Sequence, residues 1–166
     1  MGNKNIFLIG FMGVGKSTIA RILAKELGAE LIEMDETIEA EAGMTINEIF
    51  EKYGEAHFRD LESTLVARIA DKGGAIVSCG GGAVLREQNV ENMKKNGRIV
   101  FLSATPETIY ERVRYSTNRP LLNGNMNVEY IAQLMERRRA AYENAADVVI
   151  ATDGKDKREI VKEIMK

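Results

Sequence analysis

The run GFMGVGKS at residues 10–17 constrains the fold of this chain more than any other feature of its sequence. Its spacing places a glycine, four residues, a second glycine, a lysine and a hydroxyl residue in the order of a loop whose backbone N–H groups cradle phosphate oxygens. The run follows a short apolar segment and opens a long helical pattern, and a helix N-terminus attracts the same anions. A flexible glycine turn is the alternative interpretation, but the flanking patterns favour a phosphate-binding loop between a strand and a helix.

The residue types in this loop predict a nucleotide site with a metal ion. Lys16 would reach the β- and γ-phosphates of ATP, and the Ser17 hydroxyl would complete the coordination of Mg²⁺, a cation that prefers oxygen ligands. We therefore predict ATP as a substrate, Mg²⁺ as the cofactor and Lys16 as a catalytic residue. The predicted nucleotide contacts are consecutive in the sequence: Gly13, Val14, Gly15, Lys16, Ser17 and Thr18.

Strand, turn and helix patterns alternate along the chain, with no internal repeat. This alternation predicts a parallel sheet covered by helices, and a length of 166 residues predicts one domain. The predicted strands are short and apolar and cover residues 5–9, 29–34, 75–79, 99–102 and 148–151. The predicted helices cover residues 16–27, 35–42, 46–53, 56–72, 87–95, 106–115, 127–142 and 155–166. Thr45 with Glu48 matches a capping box, and Pro106 suits a first helical turn after Thr105.

Charge and cysteine content limit the function classes. A net charge of −2 and a pI near 5.6 give no overall field to attract nucleic acid, so an anionic ligand must be bound by local arginines. Cys79 is the only cysteine, which excludes an internal disulfide and a cysteine-rich metal site. No apolar run approaches the roughly 18 residues of a membrane span, and the N-terminus lacks a signal-peptide pattern. We expect a cytoplasmic protein with no membrane partner, in which His57 and Cys79 are structural or incidental.

Glu33 and Asp35 form an acidic pair at the end of the second predicted strand. Alternation along a strand predicts that the two carboxylates share one face, and ligands of open parallel sheets bind outside the carboxyl ends of the strands. One carboxylate would then hold Mg²⁺ through water while the other orients an acceptor hydroxyl. The alternative interpretation is that Asp35 caps the next helix and Glu33 is an ordinary surface charge.

Two patterns further along the chain concern an acceptor site. Arg59 and Glu62 lie three residues apart on a predicted helix, for which a surface ion pair is the default interpretation. An apolar strand pattern then runs directly into Gly80, Gly81 and Gly82. One glycine is enough for a turn, whereas three at the carboxyl end of a strand suggest that the backbone approaches a ligand closely.

Arginines dominate the C-terminal half of the candidate site. Residues 112–124 have the pattern of a helix that frays into a loop carrying Arg119. Such a loop would close as a lid, exclude water and stabilise charge on the transferred phosphate; the alternative is an exposed basic loop. Arg137, Arg138 and Arg139 are consecutive on a predicted helix, so about 100° separates neighbours and at most two of them can face one site.

Taken together, these residues resemble the shikimate kinase family, a group of P-loop enzymes related to the nucleoside monophosphate kinases. The resemblance runs over essentially the whole chain and depends on a combination of motifs in order and spacing. Its components are residues 10–18, the acidic pair, Phe58-Arg59 with Glu62, the triple glycine, the run RPLL at 119–122, and Arg138 with Tyr142.

The resemblance implies a fold, a reaction and a set of binding residues. The fold is a three-layer P-loop kinase with a five-stranded parallel sheet, an acceptor-binding helical region near residues 35–62 and a lid near residues 112–126. The reaction is transfer of the ATP γ-phosphate to the 3-hydroxyl of shikimate, a step of aromatic amino-acid biosynthesis, by a monomer with no nucleic-acid partner.

The same resemblance implies roles for individual residues. Arg59, Arg138 and the glycines Gly80, Gly81 and Gly82 would bind the shikimate carboxylate, with Glu62 bracing Arg59. Asp35 would bind the ring hydroxyls and act in catalysis. Arg112 would lie by the adenine, and Arg119 would act on the phosphates from the lid as a third catalytic residue. These roles agree with the chemistry, because a carboxylate calls for forked arginines.

The sequence departs from the family pattern at two positions. Glu33 stands where the family usually has aspartate. We assign Ser17 and Glu33 as the residues that hold Mg²⁺, and the extra methylene of Glu33 would change how the ion is held. Ala140 stands where proline is common. Two other functions remain open: a small-molecule kinase for gluconate or a nucleotide, and a catalytically silent nucleotide-binding protein. A regulatory GTPase is disfavoured because the chain has no Asn-Lys-x-Asp sequence.

Overall fold

The computed structural model describes residues 4–114 and 127–166. Five strands form the sheet: β1 (Asn5–Ile9), β2 (Glu30–Glu33), β3 (Ala75–Ser78), β4 (Gly97–Ser103) and β5 (Val148–Ala151). The helices are α1 (Lys16–Leu27), α2 (Met34–Ala42), α3 (Ile46–Tyr53), α4 (Glu55–Ala70), α5 (Glu87–Lys95), α6 (Pro106–Val113), α7 (Val128–Ala145) and α8 (Lys157–Met165). A short 3₁₀ turn, Ala83–Leu85, precedes α5.

All neighbouring strands pair in parallel, in the order β2-β3-β1-β4-β5. Strand β1 lies at the centre of the sheet, and its residues Phe7, Leu8 and Ile9 are fully buried. The chain runs to β2 and β3 on one side of β1 and to β4 and β5 on the other, which makes the carboxyl end of β1 the point where open α/β sheets bind ligands. The loop after β1 therefore emerges at that point. The predicted three-layer fold with its five-stranded parallel sheet is confirmed.

Two predicted helix starts, at Ile46 and Pro106, are confirmed together with their predicted caps. The Thr45 hydroxyl accepts a hydrogen bond from the Glu48 backbone N–H at 3.2 Å, and the Glu48 carboxylate accepts one from the Thr45 N–H at 3.0 Å. The Thr105 hydroxyl accepts a hydrogen bond from the Thr108 backbone N–H and so caps α6, with Pro106 in the first turn. These caps satisfy N–H groups that a helix leaves without intrahelical partners.

The prediction for the end of β2 is wrong. The strand ends at Glu33 and α2 begins at Met34, so Asp35 lies in the first helical turn and shares no strand face with Glu33. Glu33 itself is the extended N-cap residue, and its carbonyl accepts a hydrogen bond from the Thr37 hydroxyl at 2.9 Å. A carboxylate at Asp35 interacts favourably with the helix N-terminus from its place in the first turn.

Within the described ranges, no helix combines the length and the hydropathy needed to cross a membrane.

Candidate active site

The phosphate loop requires glycine at several positions. Gly13 and Gly15 have φ values of 82° and 99°, in the region that residues with a Cβ rarely adopt. A Cβ added to Gly13 would lie 2.5 Å from the Val113 Cγ1 of α6, so the loop packs tightly against that helix. Gly15 is also the N-cap of α1 and has no side chain to occupy the first N–H groups of the helix. The loop is therefore shaped to present backbone N–H groups to an anion.

Lys16 and Ser17 lie at the mouth of this loop. The Lys16 Nζ donates hydrogen bonds to the Gly10 carbonyl at 2.6 Å and to the Phe11 carbonyl at 3.2 Å. The Ser17 Oγ lies 3.4 Å from the Ser78 Oγ at the end of β3. The loop lysine and the loop hydroxyl thus both face the opening of the loop.

Arg112 lies against the outer side of the loop. Its Nη1 donates to the Val14 carbonyl at 3.0 Å and lies 3.5 Å from both the Gly13 carbonyl and the Thr152 hydroxyl. A cavity of about 650 Å³ borders Arg112, Val14, Thr18 and the start of α8. The predicted position of Arg112 beside the nucleotide is compatible with this geometry.

A larger cavity, of about 770 Å³, joins the loop to a compartment formed by α2, α3, α4, the triple glycine and α7. It is bordered by most of the residues that the sequence predicts for the site: Gly13, Gly15, Lys16, Ser17, Thr18, Glu33, Asp35, Arg59, Gly80, Gly81, Gly82, Arg112 and Arg138. Val14 borders the smaller cavity. Arg119 and most of the predicted lid, residues 115–126, lie outside the described residues.

The surface ion pair considered for Arg59 and Glu62 is wrong, because the pair is buried. The Arg59 Nη1 lies 2.8 Å from the Glu62 Oε1, and the two side chains are 13% and 0% exposed. Glu55 adds a second carboxylate, 3.2 Å from the Arg59 Nη2. The guanidinium is therefore held from two sides by residues of its own helix, with its position fixed at the wall of the cavity.

Burial shifts the ionisation of this pair. Removal from water raises the pKa of Glu62 above its ordinary value, and the adjacent Arg59 charge opposes that shift. Burial alone would lower the pKa of Arg59, but Glu62 and Glu55 raise it above its ordinary value. Among the described residues, the Glu62 Oε2 has no hydrogen-bond partner. A buried carboxylate oxygen without a hydrogen-bond partner lowers the folding stability. Such an arrangement is typical of a binding site and not of a surface ion pair that stabilises the fold.

The triple glycine makes room for charged side chains. A Cβ on Gly80 would lie 2.7 Å from the Asp35 Oδ1 and 2.8 Å from the Glu62 Oε2. A Cβ on Gly81 would lie 3.0 Å from the Arg138 Nη1, and one on Gly82 would overlap the Arg59 guanidinium. None of the three has a positive φ, so the reason for glycine here is space and not backbone conformation. The turn thus lets two arginines and two carboxylates converge around one strand end.

The structure selects one arginine from the run on α7. Arg138 borders the cavity and is half-buried, whereas Arg137 and Arg139 are exposed. Arg139 makes a surface ion pair with Glu136 at 3.4 Å. The helical spacing predicted that at most two of the three could face one site, and only Arg138 does so.

Glu33 is half-buried at the end of β2 and lies beside Glu36, which can donate a hydrogen bond to the Glu33 carboxylate when Glu36 is protonated. That hydrogen bond and the repulsion from Glu33 raise the pKa of Glu36 above its ordinary value. The described part of the chain contains no group of three or more His, Cys, Asp or Glu that could hold a metal by itself. The oxygen donors at Ser17, Ser78 and Glu33 nevertheless fit Mg²⁺, which commonly takes one carboxylate and completes its shell with substrate phosphates and water.

Three features of the site escaped sequence interpretation. Ser78 faces Ser17 across the sheet edge; its place directly before Cys79 and the glycines was a usable signal. Glu55 lies four residues before Arg59, the helical spacing of an ion pair. Phe50 packs against Phe58 with ring centroids 5.3 Å apart and completes an apolar wall of the acceptor compartment, and nothing in the local sequence of Phe50 separates it from core residues.

One cavity that joins a nucleotide loop to a separate charged compartment places the chain in the class of P-loop kinases that act on small molecules. The family profile described as Shikimate kinase matches residues 12–166. The chain belongs to the shikimate kinase family.

Individual relatives agree over nearly the whole length. Shikimate kinase of Thermodesulfovibrio yellowstonii is 43% identical over 163 residues, which cover 98% of this chain and 94% of the relative. Shikimate kinase of Persephonella marina is 41% identical, with 98% and 97% covered. Among solved structures, shikimate kinase from Acinetobacter baumannii in complex with shikimate has a TM-score of 0.92 at 34% identity, covering 98% of this chain and 91% of that chain. The enzyme from Aquifex aeolicus has a TM-score of 0.84 at 37% identity, with 97% and 94% covered.

Proposed function

We propose that this chain transfers the γ-phosphate of ATP to the 3-hydroxyl of shikimate and releases shikimate 3-phosphate and ADP. The observation that carries this proposal is the pair of guanidiniums, Arg59 and Arg138, that meet at the triple glycine in the wall of the cavity that Lys16 also borders. Two fixed guanidiniums suit a planar carboxylate, which they can bind through paired N–H donors. An acceptor anchored there would hold its hydroxyls toward the phosphate loop.

The residues between the two ends of the cavity have distinct roles in this proposal. The loop N–H groups and Lys16 bind the nucleotide phosphates and stabilise charge that builds up during transfer. Asp35, whose carboxylate approaches Gly80 and borders the same cavity, accepts a hydrogen bond from the acceptor hydroxyl and orients it. Because phosphoryl transfer passes through a loose transition state, orientation matters more here than early removal of the proton.

Mg²⁺ fits the donors of Ser17 and Glu33, and we propose these two as the residues that hold it. When bound, the ion would neutralise charge on the phosphates. Glu33 is one methylene longer than the usual aspartate, and a longer carboxylate still serves by bonding to a metal-bound water. We further propose a monomer in the cytoplasm; the single cysteine, Cys79, is buried and fits a reducing compartment.

A coupled ADP-release assay with a panel of acceptors tests the proposed function. We expect shikimate to have the highest kcat/KM, and its methyl ester to lose about tenfold to hundredfold because the ester lacks the charge that two arginines bind. Gluconate and nucleoside monophosphates serve as the competing acceptors. Equal rates for shikimate and its ester, or a preference for gluconate or a nucleotide, would contradict the proposal.

The metal assignment is tested by changing Glu33 without removing its neighbours. Glu33→Asp should remain active, whereas Glu33→Gln should raise the Mg²⁺ concentration that gives half-maximal rate, because a neutral amide binds a metal-bound water less strongly. Glu30→Gln, at the exposed opposite end of β2, is the matched control and should leave the Mg²⁺ dependence unchanged. If Glu33→Gln also leaves it unchanged, Glu33 does not hold the metal, and the assignment of Mg²⁺ to Ser17 and Glu33 is wrong at Glu33.

A further inference from the structure

Tyr142 joins two parts of the acceptor compartment that lie far apart in the sequence. Its hydroxyl donates a hydrogen bond to the Gly81 carbonyl at 2.6 Å and accepts one from the Arg138 guanidinium. Arg138 and Tyr142 are four residues apart on α7, so they are neighbours on one helix face. A Cβ on Gly81 would lie 3.0 Å from the Arg138 Nη1 and 3.8 Å from the Tyr142 Oη. The glycine turn, the guanidinium and the phenol therefore meet at one point.

The Tyr142 ring is held firmly enough to fix its hydroxyl. The residue is 3% exposed, and its ring packs against Phe101 of β4 with centroids 5.1 Å apart. Burial raises the pKa of the Tyr142 hydroxyl, and the Arg138 charge opposes that shift. The hydroxyl therefore keeps its proton at neutral pH and can donate to Gly81 while a lone pair accepts from Arg138. A phenol with two side-chain torsions loses little further freedom when it makes both bonds.

We propose that Tyr142 is a positioning residue for the acceptor: its hydroxyl holds the Arg138 guanidinium against the triple-glycine turn, in the place where the acceptor carboxylate binds. This inference rests on the proposed function. An arginine set in place before the acceptor arrives does not have to be ordered on binding, which strengthens binding without any new contact. Arg59 is already held in place by Glu62 and Glu55, so Tyr142 would supply the equivalent support for the second arginine.

The test compares Tyr142→Phe with the unmodified enzyme. The change keeps the ring and its contact with Phe101 but removes the oxygen that bonds to Gly81 and Arg138. We expect KM for shikimate to rise about three- to tenfold, because the hydrogen bond between the Tyr142 hydroxyl and the charged Arg138 guanidinium is lost. The kcat and the KM for ATP should change by less than about twofold. Tyr53→Phe, on an exposed tyrosine of α3, is the control and should change none of these values.

A double-mutant cycle separates positioning from a general structural role. If Tyr142 acts through Arg138, adding Tyr142→Phe to Arg138→Leu should raise KM for shikimate by less than about twofold further. The same rise in both backgrounds, an unchanged KM in Tyr142→Phe, or equal losses toward ATP and shikimate would overturn the inference. The rise of the thermal midpoint with saturating shikimate gives a second readout of acceptor binding and should be smaller in Tyr142→Phe than in the unmodified enzyme.

The same experiment distinguishes this inference from the proposed function. If the unmodified enzyme does not phosphorylate shikimate, the proposed function fails and this inference fails with it. If the unmodified enzyme turns shikimate over and Tyr142→Phe has the same KM, only the role of Tyr142 is contradicted.

Discussion

Replacing Lys16 by methionine should lower kcat by at least about a hundredfold to a thousandfold, the loss expected when a donor that stabilises the transition state is removed. Methionine keeps much of the length of the side chain but removes the ammonium that lies over the Gly10 and Phe11 carbonyls. Because this side chain lies at the opening of the loop and not in the core, the fold should persist. Circular dichroism and the thermal midpoint should confirm that the variant is folded, and coupled ADP release should measure the rate.

The matched control for this variant is Lys25→Met. Lys25 is an exposed lysine in the last turn of the same helix, α1, remote from the loop. It should keep its activity within about twofold, as surface substitutions usually do. Near-normal turnover in a folded Lys16→Met variant would contradict the assignment of residues 10–17 as the loop that activates the transferred phosphate.

The second large effect is expected at Arg138, where three consecutive arginines provide their own controls. Arg138→Leu should lower kcat/KM for shikimate about tenfold to hundredfold, the equivalent of about 1.5 to 3 kcal/mol for hydrogen bonds to a charged group, with little change in ATP binding. Arg137→Leu and Arg139→Leu change the same residue type on the exposed faces of α7 and should have little effect. Steady-state kinetics with each substrate varied separately give both values. Equal losses toward ATP and shikimate would show that Arg138 serves the nucleotide or the fold.

Arg59 is a less direct probe of the acceptor than Arg138. Removing its guanidinium would leave the Glu62 carboxylate buried without its ion-pair partner, since the Glu62 side chain is 0% exposed. Loss of one member of a buried ion pair typically costs about 3 to 5 kcal/mol of folding stability. Arg59→Leu should therefore lower both acceptor binding and the thermal midpoint, and only the first effect is informative about function.

The sequence predicted those parts of the site that depend on local pattern. The loop at residues 10–17 is recognisable because its glycines, lysine and hydroxyl follow a fixed spacing, and the strand and helix around it follow from hydrophobic periodicity. The 100° rotation between helical neighbours likewise limited the arginine run on α7. Each of these inferences needs only residues that are close together in the chain.

Other parts of the site depend on packing that no local pattern reveals. A period of two over the four residues of β2 is too short to show where the strand ends, which is why Asp35 was assigned to a strand face. The spacing of Arg59 and Glu62 shows that they share a face of α4 but not that this face is buried. The reason for the triple glycine is clear only once α2, α4 and α7 converge on it.

The two departures from the family pattern, Glu33 and Ala140, differ in their expected structural consequences. Ala140 lies on an exposed part of α7, and the helix continues without interruption through that position, so no structural consequence is expected from the absence of proline. Glu33 borders the cavity and interacts with Glu36, so its extra methylene changes the acidic edge of the nucleotide site. The Mg²⁺ dependence of the Glu33 variants is the measurement that reports on that change.

Identification of the reaction product tests the proposed function most directly. The unmodified protein should be incubated with ATP, Mg²⁺ and shikimate, and the products analysed by phosphorus and proton nuclear magnetic resonance. We expect one new phosphate monoester, on the 3-hydroxyl of shikimate, formed in equal amount with ADP. Release of inorganic phosphate with unchanged shikimate, or a phosphate on a different hydroxyl, would contradict the proposed function.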